Sequence, residues 1–207
     1  MVYNNFVLRL LFSTIFIFVY LILFFTNFNY VFYLIFLIYI FIFLEIFFYF
    51  KEYKLLVFIY ILLSFLFFFK LNFNEEIILH FNLFILIVIS FDTFCYIIGK
   101  NFGQKKLIRI SPNKTYEGLF GGIIITLFIS LLFSYLFTIV INYKLLIFIF
   151  MIILTAFIGD LIESFFKRKS NIKNSSEFIP GHGGVFDRFD SFVFSIIFYS
   201  VFKDILL

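Results

Sequence analysis

The chain returns repeatedly to apolar runs whose lengths match what a bilayer demands. Seven such segments run roughly Phe6–Phe25, Tyr30–Phe50, Leu55–Phe69, Ile77–Ile98, Gly118–Ile141, Leu145–Phe166 and Phe189–Val201. A helix needs about 20 residues to cross a hydrocarbon core. Most of the segments reach that length; the third and seventh fall short. Both faces of each segment are apolar, whereas a barrel strand alternates every second residue over about 10 residues. The expected fold is therefore all-α, a polytopic transmembrane helical bundle of about seven spans. The first segment reads as an anchor rather than a cleaved signal. Its apolar run exceeds a signal core of about 7–15 residues, and no small-x-small cleavage site follows it.

Composition enters here as a check. The chain is 64% hydrophobic and 14% charged, where soluble domains carry about 45–50% and about 25%. That much apolar surface excludes disorder. Cys95 stands alone, which excludes a disulfide scaffold. The 41 phenylalanines beside a single alanine, Ala156, fit a choice of apolar residues set by A/T-rich codons; a GC-rich coding sequence would contradict this.

The connections alternate in charge. With the N-terminus in the cytoplasm, Arg9, Lys51, Lys54 and two basic loops, Lys100–Lys114 and Lys167–Arg188, share that side. Only Lys70, Lys144 and Lys203 of the 16 basic residues lie opposite. This is the positive-inside pattern. It also removes nucleic acid as a partner, because the charge sits between spans and not on a separate basic domain.

All nine glycines lie at or after Gly99, and both prolines, Pro112 and Pro180, lie in the two basic loops. The chain thus divides into residues 1–90, plain transmembrane spans, and residues 91–207, a transmembrane region that carries the chemistry. No linker separates them, so the two form one continuous membrane domain. His80 and Glu45 lie inside spans, where an ionisable residue is either functional or paired within the bundle.

Four polar clusters stand out in the second half. Asp92, Tyr96 and Gly99 are spaced to share one helix face; Asp92 either faces a wet interior or sits at the interface. Gly99-Lys100-x-x-Gly103 lacks the order of a P-loop. Ser111 is a plausible N-cap with Pro112 at the first helical position. Lys114 and Thr115 then lie by a helix start whose free N–H groups suit a phosphate, or they simply lead a capped loop into a span. Asp160, Glu163, Ser164 and Lys167 put acid, acid, hydroxyl and base on one face, unless they are a helix end snorkelling to water. Finally, Pro180-Gly181-His182-Gly183-Gly184 makes a permissive turn before Asp187, Arg188, Asp190 and Ser191. Asp187 and Asp190, with Asp160, could hold a hard divalent cation through oxygen, and magnesium with substrate phosphates fits such a set. Zinc does not fit, with one cysteine and an isolated His182. Together these residue types point to metal-assisted chemistry on the phosphates of a partly lipidic substrate.

At these residues the sequence resembles a known family. Gly159-Asp160-x-x-Glu163-Ser164-x-x-Lys167-Arg168-x₄-Lys173, then Pro180-Gly181-His182-Gly183-Gly184-x-x-Asp187-Arg188-x-Asp190-Ser191, is similar to the signature of the phosphatidate cytidylyltransferases, or CDP-diacylglycerol synthases. Asp92-x-x-x-Tyr96-x-x-Gly99-Lys100 and Ser111-Pro112-x-Lys114-Thr115-x-Glu117-Gly118 resemble that family's upstream motif. The resemblance covers about residues 92–192, and the chain looks shorter than typical members near its N-terminus.

The resemblance implies transfer of CMP from CTP to phosphatidic acid, giving CDP-diacylglycerol and pyrophosphate. It implies magnesium, with potassium a candidate second cation. Asp160 and Asp187 match the metal-binding acids, and Asp190 supports them or binds a second cation. Lys167, Arg168 and Arg188 would neutralise CTP phosphates. Ser111, Lys114, Thr115 and Lys173 would contribute to substrate binding, and His182, Gly183 and Gly184 would shape the nucleotide pocket. The implied partners are CTP, phosphatidic acid and the lipid bilayer, with a homodimer left open. The implied place is a bacterial inner membrane with the site facing the cytoplasm. Two departures stand out: Asn174 where the family has Asp, and Cys95 where it has a small residue. The rival readings are a polyprenol kinase, an archaeal-type CDP-lipid synthase, and a non-catalytic paralogue or small transporter; no broken-helix repeat supports transport.

Overall fold

Six helices carry most of the chain in a computed structural model that describes residues 18–20, 22, 28–71, 73, 75–108, 111, 114–176 and 183–206. They are α1 (Asn29–Tyr49), α2 (Lys54–Phe69), α3 (Glu75–Phe102), α4 (Tyr116–Leu136), α5 (Tyr143–Lys169) and α6 (Phe186–Leu206). Each coincides with one apolar segment of the sequence. The first segment, Phe6–Phe25, falls mostly outside the described residues. Four of the helices (α1, α3, α4 and α5) are long and apolar enough to cross a membrane. The all-α reading is therefore upheld, and the chain is an integral membrane protein.

The boundaries differ from the apolar runs where polar residues continue a helix or a turn ends one. The seventh run, Phe189–Val201, is short, but the helix that holds it, α6, has 21 residues. Its first turn holds Asp187 and its last holds Lys203, so a count of apolar residues misses both ends. The fifth run was expected to reach Ile141, yet α4 stops at Leu136. Thr138 adopts φ 56. Ile139 N–H donates to Ser134 O at 2.8 Å and Thr138 N–H to Tyr135 O at 3.3 Å, the paired bonds of a Schellman stop. Helix α5 ends in the same way. Asn171 has φ 55, with Ile172 N–H on Lys167 O at 3.0 Å and Asn171 N–H on Arg168 O at 3.2 Å. Asn tolerates that conformation better than most residues, and the basic last turn of α5 suits the negative end of its dipole.

The described residues form two compact units, Met1–Leu62 with Phe166–Phe189 and Leu63–Phe165 with Asp190–Leu207. In the first, α1 buries Val31, Ile35, Ile38, Tyr39, Ile42, Glu45 and Ile46, a stripe at helical spacing. Its other face exposes Tyr33, Phe47 and Phe48, side chains suited to lipid. Rings meet between Phe43 and Phe58 at 5.1 Å and between Phe50 and Phe186 at 6.2 Å.

In the second unit, α4 buries only Gly118, Gly122, Thr126, Ser130 and Ser134. Every fourth residue is small, which lets the backbone of α3 approach closely at Gly99 and Gly118, the mode of association favoured where no water drives helices together. The Ser130 and Ser134 hydroxyls donate back to Thr126 O and Ser130 O, at 2.6 and 2.8 Å. Phenylalanine fills the remaining core: Phe81, Phe84 and Phe148 ring Tyr199 at centroid distances of 4.9 to 6.0 Å.

Candidate active site

Helix α5 carries Asp160 and, one turn on, Glu163. Carboxylate oxygens of these two and of Asp190, from the first turns of α6, all lie within 4.8 Å of one another. Gly159 allows this meeting. A Cβ there would fall 2.7 Å from Asp190 O and 3.0 Å from Phe194 Cβ, so any larger residue would push α6 away from Asp160. Glu163 is fully buried. Three acids at this spacing repel one another unless a cation joins them.

One cation is supplied by the chain itself. Lys114 Nζ lies 2.5 Å from Asp160 Oδ2 and 4.6 Å from the centroid of the Phe157 ring. Backbone pairing brings Lys114 there: Leu107 N–H donates to Lys114 O at 2.8 Å and Tyr116 N–H to Lys105 O at 3.1 Å. Lys106 and Thr115 form an antiparallel bridge. The Glu117 carboxylate accepts from Gln104 N–H at 3.1 Å and tightens the same turn.

This turn corrects one expectation. Ser111 does not cap the helix; Thr115 does, with extended backbone and Oγ1 accepting from Gly118 N–H at 3.1 Å. The pairing of residues 105–107 with 114–116 keeps the chain extended through Thr115, so α4 cannot start at Pro112. Ser111 instead closes a short turn, its carbonyl accepting from Lys114 N–H at 3.1 Å. Pro112 itself lies outside the described residues.

Asp92 joins the cluster through a serine. Ser191 Oγ donates to Asp92 Oδ1 at 3.0 Å, and Ser191 N–H donates to Asp190 Oδ1 at 2.7 Å. The upstream aspartate thus helps fix the third member of the acid group. Tyr96 does not accompany it: that side chain is exposed, with Lys100 Nζ 5.8 Å from its ring.

The first unit holds a second polar cluster. Lys167 Nζ lies 2.7 Å from Asp187 Oδ1. Asp187 Oδ2 accepts from Ser175 N–H at 3.0 Å and Gly184 N–H at 2.8 Å. Its oxygens thus meet an ammonium and two backbone donors, and in the second unit Glu163 stands with Asp160 and Asp190 in the oxygen cluster. The acid stripe at 160, 163, 164 and 167 already pointed to Glu163. Arg168, Lys173, Asn174 and Arg188 are exposed and Gly183 is half-buried. His182 lies outside the described residues. His80 is half-buried on α3. Glu45 proves to be buried against Ser175, Ser176 and the start of α6, a role that no local pattern announced.

A helical membrane protein that sets three carboxylates beside a lysine is suited to handling phosphates at a lipid surface. A sequence model of the cytidylyltransferase family matches residues 6–206, and the chain belongs to that family. Among curated relatives, the phosphatidate cytidylyltransferase of Bacillus subtilis is 41% identical over 120 residues, 55% of this chain and 43% of the relative. That of Staphylococcus epidermidis is 46% identical over 112 residues, 53% of this chain and 43% of the relative. That of Staphylococcus haemolyticus is 44% identical over 120 residues, 56% and 46% of the two chains. The matched stretch is thus less than half the length of each of these relatives.

Proposed function

We propose that this chain is a phosphatidate cytidylyltransferase, joining CTP and phosphatidic acid into CDP-diacylglycerol with release of pyrophosphate. The observation that carries the reading is the meeting of Asp160, Glu163 and Asp190 with Lys114 in a chain that has four helices apolar enough to cross a membrane. The relatives named above support the choice of nucleotide and lipid.

In this reading a non-bridging oxygen of the lipid phosphate attacks the α-phosphorus of CTP. A new P–O bond forms, the bond to the β-bridging oxygen breaks, and pyrophosphate leaves with that electron pair. The attacking group is already anionic at neutral pH, so no general base is needed. Positioning and charge neutralisation supply the rate. The acid cluster fits a magnesium ion by its hard oxygens and their mutual distances; bound there, the ion would draw charge from the triphosphate oxygens. Lys114 exchanges its hold on Asp160 for a phosphate oxygen. Asp187 orients Lys167 toward the same task, and Arg168, Lys173 and Arg188 add positive charge at exposed positions. Ser111 and Thr115 can each donate a hydroxyl to the lipid phosphate. His182, Gly183 and Gly184 shape the nucleotide pocket. The lysine-rich loops favour a site on the cytoplasmic face of an inner membrane.

The test is to supply membranes from cells expressing the chain with phosphatidic acid and CTP labelled in the cytosine ring. Label appearing in the lipid fraction, with pyrophosphate released, is the expected result. No ring label in the lipid, with label entering it from CTP labelled at the γ-phosphate in a parallel assay, would assign a lipid kinase and overturn the reading.

A further inference from the structure

Glu45 sits in α1, far in sequence from every motif that carries the family resemblance, and its side chain is fully buried. Four donors converge on it. Oε1 accepts from Ser176 Oγ at 2.6 Å and Val185 N–H at 2.6 Å. Oε2 accepts from Ser175 Oγ at 3.0 Å and Phe186 N–H at 2.9 Å. A carboxylate at such depth is tolerated only when its lone pairs are filled, and here they are filled by Ser175, Ser176, Val185 and Phe186. Two of the donors are N–H groups at the start of α6, where the helix dipole also favours a negative charge.

Asp187 holds Ser175 and Gly184 as well. Ser175 gives its hydroxyl to Glu45 and its N–H to Asp187; Gly184 N–H goes to Asp187 while the next two N–H groups go to Glu45. This double grip explains the paired glycines. Gly183 has φ +84, a conformation that suits glycine. At Gly184 a Cβ would collide with Ser175 Oγ and lie 2.7 Å from both Glu45 oxygens. The turn can close on the carboxylate only without a side chain there.

We propose that Glu45 is a positioning residue for the transfer reaction, tying Ser175 and Ser176 to the start of α6 in the arrangement that presents Asp187 and, through it, Lys167. The proposal rests on the cytidylyltransferase reading for its activity arm only. It gives α1 a part in placing Asp187 and Lys167 and not merely in anchoring the chain.

Glu45→Gln tests it. Each carboxylate oxygen faces one hydroxyl and one backbone N–H. Serine hydroxyls can turn to accept from an amide, but the backbone N–H cannot, so either amide orientation leaves one N–H opposed. The start of α6 then spends part of its time released from Glu45. A partly populated competent state raises the apparent KM for CTP by the inverse of that population, whereas simple loss of folded protein lowers Vmax and leaves KM in place. The expected results are a KM for CTP raised at least tenfold in Glu45→Gln and largely restored in Glu45→Asp. Hydrogen exchange at Val185 and Phe186 should also be at least tenfold faster, with α4 unchanged. An unchanged KM with unchanged exchange at these amides would overturn the proposal. Should Glu45→Gln fail to insert, Ser176→Ala and the unaltered chain still decide it. Val185 and Phe186 must be protected in the unaltered chain and faster in Ser176→Ala; rapid exchange in the unaltered chain sinks the idea. Absence of cytidylyl transfer in the unaltered protein would instead count against the function, and the exchange data would still judge Glu45.

Discussion

Lys114→Met should tighten cation binding while it damages catalysis. Lys114 Nζ lies 2.5 Å from Asp160 Oδ2, with the two side chains 20% and 28% exposed. Any cation entering the group of Asp160, Glu163 and Asp190 must first displace this ammonium. The gross attraction is about 7 kcal/mol at an effective dielectric near 20. Much of that is recovered when the ammonium regains water, so the net opposition is about 1–2 kcal/mol. Removing it corresponds to roughly 5- to 30-fold tighter binding. The measurement is a titration of manganese, as a spectroscopic substitute for magnesium, into purified protein without CTP, following the free-ion resonance. Lys106→Met, at an exposed position on the same turn, serves as the control and should bind as the unaltered chain does. Turnover in Lys114→Met should fall even as the cation binds better, because a phosphate partner is lost. Manganese affinity that is equal or weaker in Lys114→Met would refute the view that this lysine holds the cation's place.

Asp160→Asn should abolish product formation while the protein still inserts; turnover near that of the unaltered chain in the CTP-to-lipid assay would remove Asp160 from the cation site. Gly159→Ala should lower stability by about 1–3 kcal/mol through overpacking and reduce manganese affinity, since the added carbon meets the Asp190 backbone; an unchanged denaturant midpoint in detergent would show that α6 can shift freely. Asn174→Asp should be tolerated at its exposed position, and complete loss of activity would mark the site as diverged. A topology reporter fused after Asn174 should read cytoplasmic, and a reading from the opposite face would invert the orientation argued from the lysines.

The span pattern was legible because bilayer thickness fixes helix length and the chain uses few polar residues to interrupt it. What the pattern missed has local physical causes. Helix α6 hides its length behind Asp187, Arg188 and Asp190 in its first turns and the Lys203–Asp204 pair in its last, 2.6 Å apart. Helix α4 ends on a threonine at positive φ, which nothing in a run of apolar residues announces, since β-branched residues rarely adopt it. Ser111-Pro112 and Thr115 both carry capping chemistry, and only the backbone pairing of residues 105–107 with 114–116 decides between them. The small residues at every fourth position of α4 were visible, but their use in packing against α3 appears only when the two helices are seen together.

The acids divide along a further line that spacing alone does not draw. Glu45 is met by four donors, two of them backbone N–H groups that cannot leave. Its charge is spent on geometry, and a carboxylate so held cannot take up a new ligand without breaking the turn it organises. Asp187 is similar on one oxygen, which holds two backbone N–H groups, but its other oxygen meets the mobile ammonium of Lys167. Asp160 has no such backbone anchor among its recorded contacts; it meets the Lys114 ammonium and, at 3.4 Å, the Ser164 hydroxyl. Both of those partners can turn away. An acid whose partners are side chains can exchange them for a cation or yield them to a phosphate, and an acid whose partners are backbone amides cannot. On that ground Asp160 belongs to the chemistry and Glu45 to the framework. Asp187 has both characters: one oxygen fixes Ser175 and Gly184, and the other holds Lys167.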